Sequence, residues 1–196
     1  MIPAYLANLQ LDKVFAVYCS NVDQYIQEST LDEHIVDSKI KRISGFVTAA
    51  FGAEENAAKE FFTVENPTKN PFSLLQIDNG IIKKNVGPAT QKCDCAIANN
   101  SSLCFIEFKT KASSNIISTI EKNYRRAIEQ LTATIGIFDS YHKSQGVDFR
   151  SLRAVKAYIC FRHGYPRRTS SQMNYQVSFA KANNGIPLSF DRKKVL

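Results

Sequence analysis

Glu107 stands where a carboxylate is hard to place. It lies in LCFIEFK, residues 103–109, a run otherwise apolar enough to be a central strand. An isolated ionised carboxylate buried there would be very costly, so it needs a cation, a metal or a proton. Lys109 follows two residues later, and in an extended chain side chains two apart leave the same face. Positions 105, 107 and 109 then share one face, and Cys104, Ile106 and Phe108 the other. Asp94 is in the same position within CDCAI, residues 93–97. Residues 99–102, NNSS, read as a turn, and hairpin pairing about it sets Asp94 opposite Glu107. Facing carboxylates repel unless a cation lies between them. Mg²⁺ suits such a pair, since it takes one or two carboxylates and completes its shell with water and phosphate oxygens; Mn²⁺ is the expected substitute. Lys109 beside it could orient or deprotonate a water, or stabilise charge on a phosphate.

The elements that must position these groups can be read from periodicity. Apolar residues recur at helical spacing through Leu6, Leu9, Val14, Val17 and Tyr18, then Val22, Tyr25 and Ile26. A second helix is expected after Ser29 and Thr30, where Thr30 and Glu33 have the spacing of a capping box. Its stripe would be Ile35, Ile40, Ile43, Phe46, Val47 and Phe51, with a short helix over 54–62 next. Residues 72–77 read as a strand, Asn79 and Gly80 as a hairpin turn, and Ile81 and Ile82 as the start of the returning strand. Further strands are expected over 92–98 and 103–109. Ser113 or Ser114 would cap a long helix with its stripe on Ile117, Ile120, Tyr124, Ala127, Leu131, Ile135 and Phe138. Strands over 154–161 and 175–179 would follow, on either side of a basic loop at 163–168.

A helix between the 103–109 strand and the next permits a parallel crossover. The expected fold is therefore α/β: a mixed central sheet flanked by helices on both sides. An N-terminal helical extension would occupy residues 1–30 and the main domain residues 31–196.

Asp94, twelve intervening residues and then Glu107, Phe108 and Lys109 resemble the PD-(D/E)xK nuclease superfamily, with its restriction-endonuclease-like fold. The resemblance covers about residues 31–165 and includes the helix and strand after Lys109. It implies that Asp94 and Glu107 are metal ligands and Lys109 the catalytic lysine. It further implies Mg²⁺-dependent hydrolysis of DNA, as an endonuclease in restriction or anti-phage defence, with RNA as an open alternative substrate. A non-catalytic module on the same fold, binding nucleic acid or a protein partner, is the competing expectation. Cys93 stands where the name-giving motif has proline. The family often adds an acid from its first core helix, and Glu33, Asp37, Glu54, Glu55 and Glu60 are all candidates. The Gln-x-x-x-Tyr pattern of the exonuclease branch is absent, because Gln130 is followed at that spacing by Thr134.

Charge points the same way. Residues 150–196 hold ten Lys and Arg against one acidic residue, a balance of +9, whereas residues 1–149 balance at −2. A polyanion would be drawn to the C-terminal part. Lys111, on the same face as Lys109 if that strand continues, is a candidate phosphate contact, as are Arg125 and Arg126 on the following helix. Arg167 and Arg168 are too, near Tyr165. The chain leaves little room for a separate target-recognition domain, so a homodimer or a place in a larger complex is expected. Five cysteines, an odd number, in no disulfide spacing read as reduced thiols, and Cys93, Cys95 and Cys104 lack the paired spacing of structural zinc. No nucleophile elbow and no Gly-rich phosphate loop is present. No apolar run is long enough to span a bilayer and the N-terminus does not read as a signal peptide, so a cytoplasmic protein without membrane contact is expected.

Overall fold

The computed structural model describes residues 1–42, 45–52, 61–83, 91–162, 165 and 170–196, with the side chains of 37–42, 45–48 and 170 left aside. Two mixed sheets and four α-helices are formed by these residues. The larger sheet has six strands: β1 (Ile26–Ser29), β5 (Phe72–Gln76), β6 (Cys95–Ala98), β7 (Ser102–Lys109), β8 (Ala154–Phe161) and β9 (Leu188–Ser189), in that spatial order. Neighbours are antiparallel from β1 to β7 and parallel from β7 to β9. The parallel β7–β8 step is the expected crossover, made through the long helix α2 (Ile117–Ser144) and the short α3 (Phe149–Leu152). The second sheet has four strands: β10 (Lys193–Val195), β4 (Phe61–Glu65), β2 (Glu33–Arg42) and β3 (Gly45–Gly52).

The six-stranded sheet is buried on both faces, but helices cover only one of them. On that face Leu103, Phe105, Ala96 and Ile159 pack against Tyr124, Leu131, Ile135 and Phe138 of α2, Phe179 of α4 (Ser170–Ala182) and the N-terminal segment. On the other face Ile97, Ile106, Phe108 and Tyr158 pack against Ile35, Phe62 and Val64 of the second sheet. The expected helical cover on both faces is corrected here. The stripe assigned to a helix over 35–51 is a hairpin of two strands, with Ile35 opposite Phe51 and Lys41 opposite Phe46. The segment is rich in β-branched residues, whose side chains fit a pleated surface better than a helix. The short helix expected over 54–62 falls largely outside the described residues, and Phe61 and Phe62 belong to β4.

Residues 1–30 form no separate helical extension. They make two 3-10 segments (Ala4–Leu9 and Val22–Tyr25), one short helix α1 (Leu11–Val14) and the edge strand β1. Of the predicted apolar positions, Leu6, Leu9, Val14, Tyr18, Val22 and Tyr25 are buried, all in the core of the helix-covered face, whereas Val17 is exposed. What breaks the helix is Gln10, at φ 46°, a left-handed conformation between the first two turns. The strand expected over 175–179 is helical. Phe179 is buried while Val177 is half exposed, so the true spacing is that of Tyr175 and Phe179 on one helix face. Neither Ser113 nor Ser114 caps α2; its N-cap is Ile116, and Ser114 Oγ only accepts a bond from the Ile116 amide. Ile82 makes an isolated bridge to Asp78 rather than opening a strand.

Candidate active site

The turn at residues 99–102 sets the register on which the site depends. Asn99 Oδ1 accepts bonds from the amides of Ser101 and Ser102 and from both their hydroxyls, closing a tight connection between β6 and β7. The ladder ends with Cys95 opposite Ile106, and the next residue, Asp94, lies close enough to Glu107 for its charge to act on that carboxyl. Asp94 sits at a bend just before β6, and its Oδ2 accepts a 2.6 Å bond from the Phe108 amide. The amides of Ile77 and Asp78 both donate to the Asp94 carbonyl. Backbone groups of two neighbouring segments therefore hold this residue.

Glu107 is 1% exposed. Its Oε1 accepts from Lys109 Nζ, while its Oε2 is buried with no hydrogen-bond partner among the described residues. Burial pushes the Glu107 carboxyl well above its usual range; the charge of Asp94 adds to this and Lys109 opposes it. A buried oxygen without a donor among the described residues, on a carboxyl close to a second acid, fits a cation. No group of three or more His, Cys, Asp or Glu side chains among the described residues is arranged to hold a metal. An ion here would rest on Asp94 and Glu107, with water and substrate oxygens as its other ligands, a pattern Mg²⁺ accepts.

Three contributors escaped the sequence reading. Gln130, on α2, accepts a 2.8 Å bond from Lys109 Nζ and donates to the Lys92 carbonyl at 3.0 Å, so it ties the lysine to the segment before β6. Lys92, nearly buried, pairs with Asp78 at 3.4 Å, and the Asp78 charge also raises Glu107. Asp78 is thus a further acid near the pair among the described residues. Among the earlier candidates Glu33 lies in the second sheet bonded by Ser29, the Asp37 side chain is not described, and Glu54, Glu55 and Glu60 lie outside the described residues. The local signal for Lys92 was a charge inside an expected strand. Gln130 lay beside the apolar stripe, and Asp78 looked like an ordinary turn residue.

Cys95 and Cys104 point to the face covered by the second sheet, whereas Cys93 joins the helix-side core because the chain bends at Asp94. All five cysteines are free thiols. The Cys93 amide donates to Thr134 Oγ1 at 2.8 Å, so Thr134 ties α2 to the segment just before β6 that carries Asp94.

The five expected phosphate contacts fare differently. Lys111 is exposed but lies in the turn after β7, which ends at Lys109, so it does not extend the strand face. Arg125 and Arg126 are exposed on α2, as expected of its polar side. Arg167 and Arg168 lie outside the described residues. Among the described residues, several charges of the C-terminal part are already committed within the fold. Arg153 is buried against the N-terminal segment, Arg150 is paired with Asp148 at 2.7 Å, and Lys193 with Glu65 at 2.5 Å. Among the described residues no helix is long and apolar enough to cross a membrane. Comparison with protein-family models, with curated proteins and with solved structures finds no match to this chain.

Proposed function

We propose that the protein is a Mg²⁺-dependent nuclease that hydrolyses phosphodiester bonds of DNA at the Asp94, Glu107 and Lys109 cluster. The observation that carries this reading is Glu107: a carboxyl at the centre of a sheet, with one oxygen on a lysine, the other without a partner among the described residues, and the charge of Asp94 acting on it from just before the paired strand. A purely structural Glu–Lys pair has no need of a second acid beside it. Asp94 and Glu107 would hold the ion, which when bound lowers the pKa of a coordinated water and offsets phosphate charge. The chain's own residues do the rest. The Phe108 amide fixes the orientation of Asp94. Gln130 keeps the Lys109 ammonium beside the acids, where it can neutralise charge growing on a phosphate oxygen as the attacking oxygen bonds to phosphorus and the ester oxygen departs. That service costs little reorganisation, because the ammonium is already positioned by two acceptors.

The test is incubation of the purified protein with plasmid, linear DNA and RNA in Mg²⁺, Mn²⁺ or EDTA, beside the variants Asp94→Asn and Lys109→Ala. Cleavage in either metal that both variants lose is expected. Calorimetry should show Asp94→Asn losing Mg²⁺ binding while Lys109→Ala retains it, since a protonated amine has no lone pair to offer a metal. Cleavage by Lys109→Ala at the parent rate would refute the assignment and favour a non-catalytic module.

A further inference from the structure

We propose that the exposed face of α2 beside this site is a phosphate rail, on which Lys122 and Arg126 seat the backbone of a nucleic-acid strand without reading its bases. The choice of ligand rests on the nuclease reading above. Gln91, Lys122, Arg125, Arg126 and Glu129 line an open groove of about 570 Å³. Lys122 and Arg126 are exposed, and neither has an ion pair or hydrogen bond among the described residues. Their charge is therefore uncommitted. Arg125 differs, being held by Glu121 at 3.3 Å.

Lys122, Arg126 and Gln130 follow one another at i, i+4, so they share one helix face. Each step advances about 6 Å along the axis, on the order of the separation of successive phosphates in a strand. The series ends at Gln130, whose side chain is bonded to Lys109. A strand laid along the two cations would thus arrive at the reacting group. Among the described residues the lining contains no aromatic and no apolar side chain, so the contacts expected there are charge contacts to phosphate. Contacts confined to phosphates position a strand but carry no sequence information. Glu129, in the same groove and touching Gln91 at 3.4 Å, should repel the strand.

The experiment is fluorescence anisotropy with a labelled oligonucleotide of random sequence, as single strand, duplex and RNA, in EDTA over about 50–200 mM salt. Lys122→Ala and Arg126→Ala should each weaken binding several-fold, equally for different sequences, and each lower the slope of log K against log salt by about one. Arg125→Ala should do less, and Glu129→Gln should tighten binding. Because these residues are exposed, circular dichroism should show all variants folded as the parent. The rail is overturned if the Lys122→Ala/Arg126→Ala double variant keeps the parent affinity and slope, or if Glu129→Gln weakens binding. Binding in EDTA needs no chemistry, which separates the two readings. A parent that binds through this face but cuts nothing keeps the rail and loses the nuclease. A parent that cuts, with a double variant that binds and cuts as well as it does, keeps the nuclease and loses the rail.

Discussion

Lys109→Ala should destabilise the fold by an amount that depends steeply on pH. Glu107 is 1% exposed, and Lys109 is the one donor to its carboxyl among the described residues. Deleting the lysine leaves a buried carboxylate facing Asp94 with no cation. Its escape is to take a proton. For a carboxyl with an ordinary value of 4.5, holding a proton at pH 7 costs about 3.4 kcal/mol. That sets a ceiling on the loss, consistent with the few kcal/mol expected when one partner of a buried pair is removed. In the parent burial already holds Glu107 above its ordinary range and Lys109 opposes that shift, so part of this cost is present before the change; the variant extends the shift, and its stability should fall more than the parent's as pH rises above about 4.5. The ceiling shrinks by about 1.4 kcal/mol per pH unit and is only about 0.7 kcal/mol at pH 5. The chain has no tryptophan, so urea unfolding followed by far-ultraviolet circular dichroism at pH 5, 6 and 7 is the suitable assay. A further change of Glu107→Gln in the Lys109→Ala background should recover most of the loss at pH 7. Equal losses at pH 5 and pH 7, or no recovery in the double variant, would refute the reasoning.

Thr134→Val should cost about 1–3 kcal/mol, because it strands the buried Cys93 amide that now bonds Thr134 Oγ1; thermal unfolding measures it. Gln130→Ala should lower kcat with little change in KM, since it frees the Lys109 ammonium without touching the two carboxylates; an unchanged kcat would leave Gln130 a packing residue. His142 is buried with Nε2 unpartnered, and burial lowers its pKa. The fold favours the neutral ring, so its contribution is present above the ordinary value of about 6.5 and is lost as pH falls below it. His142→Leu should therefore remove a loss of stability that the parent shows between about pH 6.5 and its lower folded value, read by unfolding curves across that range.

Part of the geometry of the candidate site was legible because it is local. Glu107 and Lys109 share a face by the two-residue period of a strand, and a four-residue turn counted from Asn99 sets Cys95 opposite Ile106 and so brings Asp94 near Glu107. The long α2 and the strand β8 were equally legible, since seven apolar residues at three- and four-residue spacing fit only a helix. Where the pattern was short or β-branched, periodicity misled: the 35–51 stripe fits two strands as well as one helix, and Tyr175, Val177 and Phe179 alternate although α4 buries only one side of them. What covers the second face of the sheet was decided by packing between β2, β3 and β4 and the distant β10, a parallel pairing with β4 that no local pattern encodes. The same holds for Asp78, Lys92 and Gln130, which converge on Glu107 and Lys109 from three separate segments. It holds too for charge, since a count of basic residues cannot tell a buried Arg153 or a paired Arg150 from a free Arg126. Sequence determines which side chains share a strand face or a helix stripe; only the tertiary structure determines which of those faces meet, because that depends on long-range packing and on the partners each charge finds there.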